Sequence, residues 1–387
     1  MPKLIIFYAR PPFTLAFLLP PIFRWSYLKK WVFFMRRTGL AKTIIISVLF
    51  LLSAVIFIET TPAAEPFFQK GICYVTWEKE RYASAHSDKS LEMLAQTGAE
   101  WVQIVTTYYQ DNYDTKRIFP TEKTPSDKSL IHVIRRAHQL GIKVMLKPHI
   151  DLLNESDGLY RGDIGFQTET DWQAWFLEYQ NFILHYARLA QESGVELFSI
   201  GTELCFASQK TSFWQEDIIP QIRKVYKGKL TYAANWDEYK NVCFWDALDY
   251  VGIDAYFPLT KKSNPDYAEI KAGWIKWADE IEEWQKRINK PIIFSEIGYR
   301  SCAFAAATPW EYSSSEGLNL EIQADCYKAA LEVLSQRLWC KGLYWWYWKP
   351  SVYAGGPANR DFIPQNKPAE TVLTYYYRGL SFAKLSQ

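Results

Sequence analysis

From Gln69 onward, short apolar runs alternate with longer segments whose apolar positions recur every three to four residues. The short runs cover 71–75, 101–106, 143–147, 197–201, 230–234, 250–255, 292–295 and 343–347. They have the length of strands, and consecutive apolar positions predict burial on both faces. The helical period holds over 126–140, 171–193, 212–226, 267–288 and 320–338. Gly98, Gly141 and Gly194 each fall just past a helical pattern and shortly before a strand, where a left-handed cap is needed. Eight strand-then-helix units predict a parallel sheet with right-handed crossovers, closed into a (β/α)8 or TIM barrel. An open doubly wound sheet would usually carry a Gly-rich phosphate turn after its first strand, and Val75-Thr76-Trp77-Glu78 is unlike one. With no internal repeat or low-complexity linker, residues 65–387 read as one domain.

The head of the chain follows a different pattern. Residues 43–58 are free of charge and flanked by Lys42 and Glu59. This run is short of the ~20 residues that span a bilayer comfortably. Arg36-Arg37 before it and Thr61-Pro62-Ala63-Ala64 after it give the basic start and small-residue exit of a secretory signal. Residues 1–64 are therefore expected to be a leader, with Met35 a candidate true start and Ala63 a candidate last residue. The alternative is an uncleaved anchor, the only route by which this chain would meet a membrane. Either way the folded part is expected outside the cytoplasm.

Charge sharpens this division. The net charge is +2, but residues 1–64 hold eight Lys and Arg against Glu59 alone, a net of +7, which leaves −5 for the remainder. A mildly acidic domain without a basic stripe does not fit a nucleic-acid partner. Aromatic residues make up 17% of the chain, with 17 Trp and 25 Tyr. Flat rings fill cores well, and they also stack on the apolar faces of sugars. The six cysteines include no C-x-x-C pair, and the five histidines include no His-x-His. His132, His138 and His185 fall on helical patterns, so no metal centre is expected, and no cofactor fingerprint is present.

Catalytic groups of such barrels sit at the C-terminal ends of strands. Those ends read, in order, Trp77, Thr107-Tyr108, Lys147-Pro148-His149, Glu203, Asn235-Trp236, Asp254-Ala255-Tyr256, Glu296 and Trp346-Tyr347-Trp348. Glu203 and Glu296 end the fourth and seventh strands, after runs that should be buried. A carboxyl there costs desolvation unless it is paired or functional. One such Glu could simply bond to loop amides; two in a mouth ringed with Trp and Tyr point to chemistry.

Gly201-Thr202-Glu203-Leu204, Gly252-Ile253-Asp254-Ala255-Tyr256 and Ser295-Glu296-Ile297-Gly298-Tyr299 resemble the clan A glycoside hydrolases, and among them family 113, the β-mannanase family. Lys147-Pro148-His149 and the Trp-rich eighth strand share that resemblance, which spans about residues 69–350. It implies Glu203 as acid/base and Glu296 as nucleophile of a retaining hydrolase acting on β-linked oligosaccharide or polysaccharide, most of all β-1,4-mannan. Much of the clan has Asn before the acid/base, where this chain has Thr202. The chemistry itself needs two carboxyls about 5–5.5 Å apart, one ionised and one protonated, in environments that split their pKa values. Tyr256 is placed to donate to Glu296. Lys147 and His149 share strand parity and are candidates for the barrel axis, with Asn235 a similar candidate for sugar contact. Trp77, Trp346 and Trp348 are candidate stacking platforms; Trp346 and Trp348 should share a face, with Trp345 opposite. A transglycosylase or β-glucan hydrolase would use the same residues. A non-catalytic sugar-binding barrel would keep the aromatics but has no need of both glutamates.

Overall fold

The computed structural model describes residues 68–379 except 156–157 and 313–316. The leader expected over residues 1–64, with its candidate start at Met35, lies outside the described residues. Eight parallel strands close into a barrel in sequence order. They are β1 (Gln69–Tyr74), β2 (Trp101–Gln110), β3 (Lys143–Leu152), β4 (Leu197–Thr202), β5 (Lys229–Asn235), β6 (Val251–Asp254), β7 (Ile292–Ile297) and β8 (Cys340–Trp348). Outside them lie α1 (Ala85–Gln96), α2 (Asp127–Gln139), α3 (Glu169–Ser193), α4 (Ile219–Val225), α5 (Tyr267–Ile288), α6 (Leu320–Leu334) and α7 (Pro368–Gly379). This is the TIM barrel that the alternating pattern predicts.

The strands separate two cores. One face packs against the helices through residues such as Val102, Ile104, Val144 and Leu146. The other fills the barrel axis with Cys73, Trp101, Val105, Met145, Leu197, Ile293 and Tyr344. Near the N-terminal end of the axis, Trp101 meets Tyr344 edge to face at 6.4 Å, and the Tyr344 hydroxyl donates to Gln69 at 2.6 Å. Tyr344 fits because β1 carries Gly71: a Cβ there would lie 2.4 Å from its ring. The axis is thus plugged at this end, and polar groups collect at the C-terminal mouth.

Helix ends follow the sequence signals. Ser84, Ser126 and Thr168 accept hydrogen bonds from the third residue beyond them, and Asp266 with Glu269 forms a reciprocal capping box. Gly98, Gly141 and Gly194 have φ of 88°, 75° and 72°. The structure differs in three places. The expected helix 212–226 is a wide π-helical segment, Phe213–Ile218, running into α4. Pro220 lacks the N–H that a regular turn would use, and a wide turn accommodates the missing bond. The helix expected to reach 338 stops at Leu334, leaving Leu338 exposed. An additional helix, α7, follows the last strand; its Tyr377 hydroxyl bonds to the carbonyls of Gly71 (3.0 Å) and Leu343 (3.2 Å), across the seam between β1 and β8.

β2 and β3 also run further than expected, paired continuously from Trp101↔Lys143 to Gln110↔Leu152. They rise beyond the barrel proper, and Asp151 becomes a strand residue with the parity of Lys147 and His149.

Candidate active site

Most of the expected site residues stand on a strand or just past its C-terminal end. On β3, Lys147 and His149 both face inward, as their shared parity predicts. The Lys147 ammonium, fully buried, donates to both oxygens of Asp254 (3.0 and 2.8 Å) and to Glu296 Oε1 (2.7 Å). Burial alone would lower its pKa, but the two carboxylates outweigh that and hold it above the ordinary value. Asp254, at the end of β6, also accepts from the Ser295 hydroxyl at 2.8 Å. Burial and the neighbouring Glu296 push its pKa well up against the pull of Lys147. Glu296 takes its second hydrogen bond on Oε2, from the Tyr256 hydroxyl at 2.6 Å. Both oxygens of Glu296 are thus held by fixed donors.

Glu203 has a different setting. It follows β4 in a left-handed conformation, φ 51°, and is 8% exposed. Arg161 Nη1 donates to its Oε2 at 2.6 Å. Arg161 belongs to a single 3-10 turn, Arg161–Asp163, and is fixed by the Ile150 carbonyl (3.0 Å) and the Asp151 carboxylate. Burial raises the Glu203 pKa, Arg161 opposes this, and the charge of Glu296 adds to the rise, for a net upward shift. The two carboxyls are therefore close enough to perturb each other while keeping separate partners.

His149 lies 3.9 Å from Glu296 Oε1, and its ring is stacked near-parallel (9°) to Trp346 at 6.4 Å. Burial, then Lys147 and Arg161, push its pKa well below the usual histidine value, so the ring is neutral. Its Nε2 is buried without a hydrogen-bond partner, as is the Thr202 hydroxyl. Trp346 is half-buried, and Trp77 stands 37% exposed at the mouth, edge-on to Tyr347 at 6.2 Å. Asn235 closes β5 and donates from Nδ2 to the Tyr160 hydroxyl at 3.1 Å.

Trp348 is a correction. It does not share a face with Trp346: it is fully buried, with Nε1 donating to Ser90 of α1 at 3.0 Å. Trp345 likewise packs outward, stacked on Tyr327 at 3.8 Å. The cause is one extra residue in β8. Ile72 pairs with Trp345 but Tyr74 pairs with Trp348, so two steps on β1 match three on β8. Such a bulge inverts the alternation beyond it, and the Trp346-Tyr347 peptide within it is cis. Trp348 is therefore a core residue.

Strand-end reading missed Arg161, Asp151 and Tyr160. Asp151 was hidden by ending β3 five residues early; extending the alternation 147, 149, 151 would have found it. Arg161 and Tyr160 sit in a loop without periodicity, and no local signal marks them.

Lys147 is the cation between two buried carboxyls, which gives a stability test. Lys147→Met should destabilise the fold by about 3–5 kcal/mol at pH 7, the cost of leaving buried charges unpaired. Asp254, whose pKa burial already raises above the unfolded value, would lose the opposing pull of Lys147, so the variant's stability should recover as pH falls toward 5. Urea unfolding at the two pH values checks both; a deficit independent of pH would count against charge as its cause.

Known proteins resemble this chain in sequence and fold. The chain matches the model of Glycoside Hydrolase Family 113 over residues 73–367. A solved family 113 β-1,4-mannanase, described as a complex structure, is similar at 30% identity with a TM-score of 0.73, covering 81% of this chain and 99% of that one. The family 113 β-mannanase AaManA of Alicyclobacillus acidocaldarius, solved with ManMIm, is similar at 27% identity and a TM-score of 0.74, over 81% of this chain and 98% of that one. A family 5 mannosidase of Rhizomucor miehei, at 12% identity and a TM-score of 0.56 over 84% of this chain and 96% of that one, shares the fold. No curated protein sequence matches closely enough to count as a relative. With a closed barrel carrying buried glutamates at the ends of its fourth and seventh strands, and a family match across most of its length, this chain belongs to glycoside hydrolase family 113.

Proposed function

We propose that the protein is a retaining β-mannanase that cleaves β-1,4-linked mannan or manno-oligosaccharide by double displacement. The observation that carries this reading is the contrast between the two glutamates. Glu296 accepts from Lys147 and Tyr256, while Glu203 is buried with a raised pKa beside one guanidinium. Glu296 attacks the anomeric carbon as the glycosidic oxygen leaves, taking the Glu203 proton. A glycosyl ester on Glu296 results. Glu203, now a carboxylate, removes a proton from water; the water oxygen bonds to the anomeric carbon and Glu296 is released. Two inversions give retained configuration. Arg161 steadies the Glu203 carboxylate between the steps. The neutral His149 Nε2 and the Thr202 hydroxyl, buried and unpartnered, fit hydrogen bonds to sugar hydroxyls, and Trp77 and Trp346 fit stacking on pyranose faces. The mannan preference rests on the similarity to the two family 113 mannanases.

Removing each carboxyl separates the roles. Glu296→Ala should lose all natural turnover, because no covalent intermediate can form. Glu203→Ala should still glycosylate itself from substrates with good leaving groups and then stall. Azide should rescue it with a β-configured glycosyl azide, whereas any azide product of Glu296→Ala should be α-configured. Proton NMR of the products reads the configurations. Swapped outcomes would exchange the roles, and wild-type activity in either variant would end the retaining assignment.

Arg161 gives a pH test. Glu203 acts protonated, so kcat/KM falls as pH rises through its pKa. Arg161 pulls that pKa down, so Arg161→Gln should move the alkaline limb to higher pH, and Arg161→Lys should move it less. An unmoved limb in folded Arg161→Gln would mean that Arg161 does not act on the acid.

We further propose that the protein is exported through the leader at residues 1–64, on the basic start at Arg36-Arg37 and the exit at Ala63. N-terminal sequencing of the protein made from its natural gene should find a start just after Ala63. Peptides from residues 1–34 would rule out Met35 as the start, and an intact run through Thr61 would mean an anchor.

A further inference from the structure

Glu203 owes its aim to its backbone as much as to Arg161. Its φ of 51° lies in the left-handed region, and among the described residues the other non-glycine positions there are Asn264, Asn289 and Asn366. Asparagine tolerates that region; a glutamate stays in it only where its surroundings fix it. Two amides do so. The Glu203 N–H donates to the Ala233 carbonyl of β5 at 2.8 Å, and the Leu204 N–H donates to the Tyr232 hydroxyl at 2.9 Å. Tyr232 faces the helix layer, fully buried among Trp214, Phe244 and Trp245. Its ring can cross to β4 because β4 carries Gly201: a Cβ there would stand 2.9 Å from Tyr232 Cε2.

The hydroxyl that accepts from Leu204 has its own hydrogen to place, and donates it to Glu238 Oε1 at 2.8 Å. Glu238 lies in the turn after β5 and is 3% exposed. A carboxyl so buried is costly unless it is well bonded. Its Oε2 accepts from the Asn235 N–H at 3.0 Å and from the Cys205 thiol at 3.5 Å. Burial raises its pKa against the pull of hydrogen bonds from Ser208, the Asn235 amide, Tyr232 and Cys205. A second path leads from the same carboxyl toward Arg161. Asn235 Nδ2 donates to the Tyr160 hydroxyl at 3.1 Å, Cys205 Sγ lies 3.4 Å from that hydroxyl, and Tyr160 precedes Arg161. The mechanism above makes no use of Glu238.

We propose that Glu238 is a positioning residue for the acid/base: through the Tyr232 hydroxyl it fixes the Glu203–Leu204 peptide and keeps the Glu203 carboxyl on the departing oxygen. It acts through Tyr232 and not on the sugar. Without the relay, the Leu204 N–H is left buried without its acceptor, and the peptide turns to find another. Glu203 then leaves the left-handed region, and its carboxyl moves with it. The inference rests on the proposed retaining mechanism, with Glu203 as proton donor, and deepens it.

The test separates proton donation from the rest of the reaction. Two variants keep the packing and break the relay. Tyr232→Phe removes only the hydroxyl, and Glu238→Gln sets an amide donor among groups that are themselves donors. The full-length wild type, both variants, their double variant and Glu203→Ala are compared on 2,4-dinitrophenyl β-mannobioside, whose leaving group needs no proton, and on mannotetraose, whose leaving group does. The first is followed by pre-steady-state release of dinitrophenolate, the second by kcat and KM. Glu238→Gln and Tyr232→Phe should release dinitrophenolate at close to the wild-type rate. On mannotetraose they should lose about a hundredfold in kcat with KM little changed, the loss that a misplacement of roughly 1 Å brings. The double variant should lose no more than the worse single one, because the two groups act in series. Equal losses on both substrates, or none on mannotetraose, would overturn the positioning role, and so would losses that multiply in the double variant. Should Glu238→Gln fail to fold by circular dichroism, Tyr232→Phe decides alone. A wild type inactive on both substrates, or a Glu203→Ala variant that treats the two alike, would instead remove the acid/base mechanism itself.

Discussion

One ammonium group sets the terms for the whole mouth. Lys147 is fully buried and bonds to Asp254 and Glu296 at once, in an interior where a lone charge would be costly. Remove it, and the two carboxyls face each other without compensation. With it in place, Asp254 is tied to Ser295, and Glu296 is left with one oxygen for Tyr256. The arrangement reaches across β3, β6 and β7, so the position of one glutamate depends on three strands being in register. Arg161 repeats the device on the other side, linking Asp151 of β3 to Glu203. Two cations thus hold four carboxyls, and β3 anchors both sets.

This shared anchoring explains why β2 and β3 outgrow the barrel. A strand ending at Lys147 would carry the first cation but not His149 or Asp151. The five extra residues of β3 stay in register only because β2 runs beside them to Gln110. The extension therefore does two jobs: it supplies a neutral imidazole beside Glu296 and a carboxylate that fixes Arg161 on Glu203. The rigid sheet carries polar groups that a loop would hold less well.

Much of this was legible in the sequence because barrel strands are buried on both faces. Continuous apolar runs announce themselves, and the residue that ends each run is displayed at the mouth. Glu203, Glu296, Tyr256, Lys147 and His149 were found this way. What escaped obeyed other rules. Arg161 and Tyr160 come from an irregular loop, where contacts are set by tertiary packing rather than by period. Trp348 was misplaced because a bulge adds a residue to β8, and nothing in Tyr344-Trp345-Trp346-Tyr347-Trp348 distinguishes a bulged strand from a regular one. Strand ends were also drawn early at β3, since Pro148 and His149 interrupt the apolar run although they continue the ladder.

The seam closed by Tyr377 bears on how the chain acquires its shape. Its hydroxyl bonds to the Gly71 carbonyl, 306 positions earlier in the chain, and to Leu343 on the neighbouring strand. β1 can find its β8 neighbour only once nearly the whole domain is present to fold. Until then an apolar strand edge waits unpaired, and contacts of such sequence separation form slowly. The helix that carries Tyr377 then acts as a late latch on a ring already assembled.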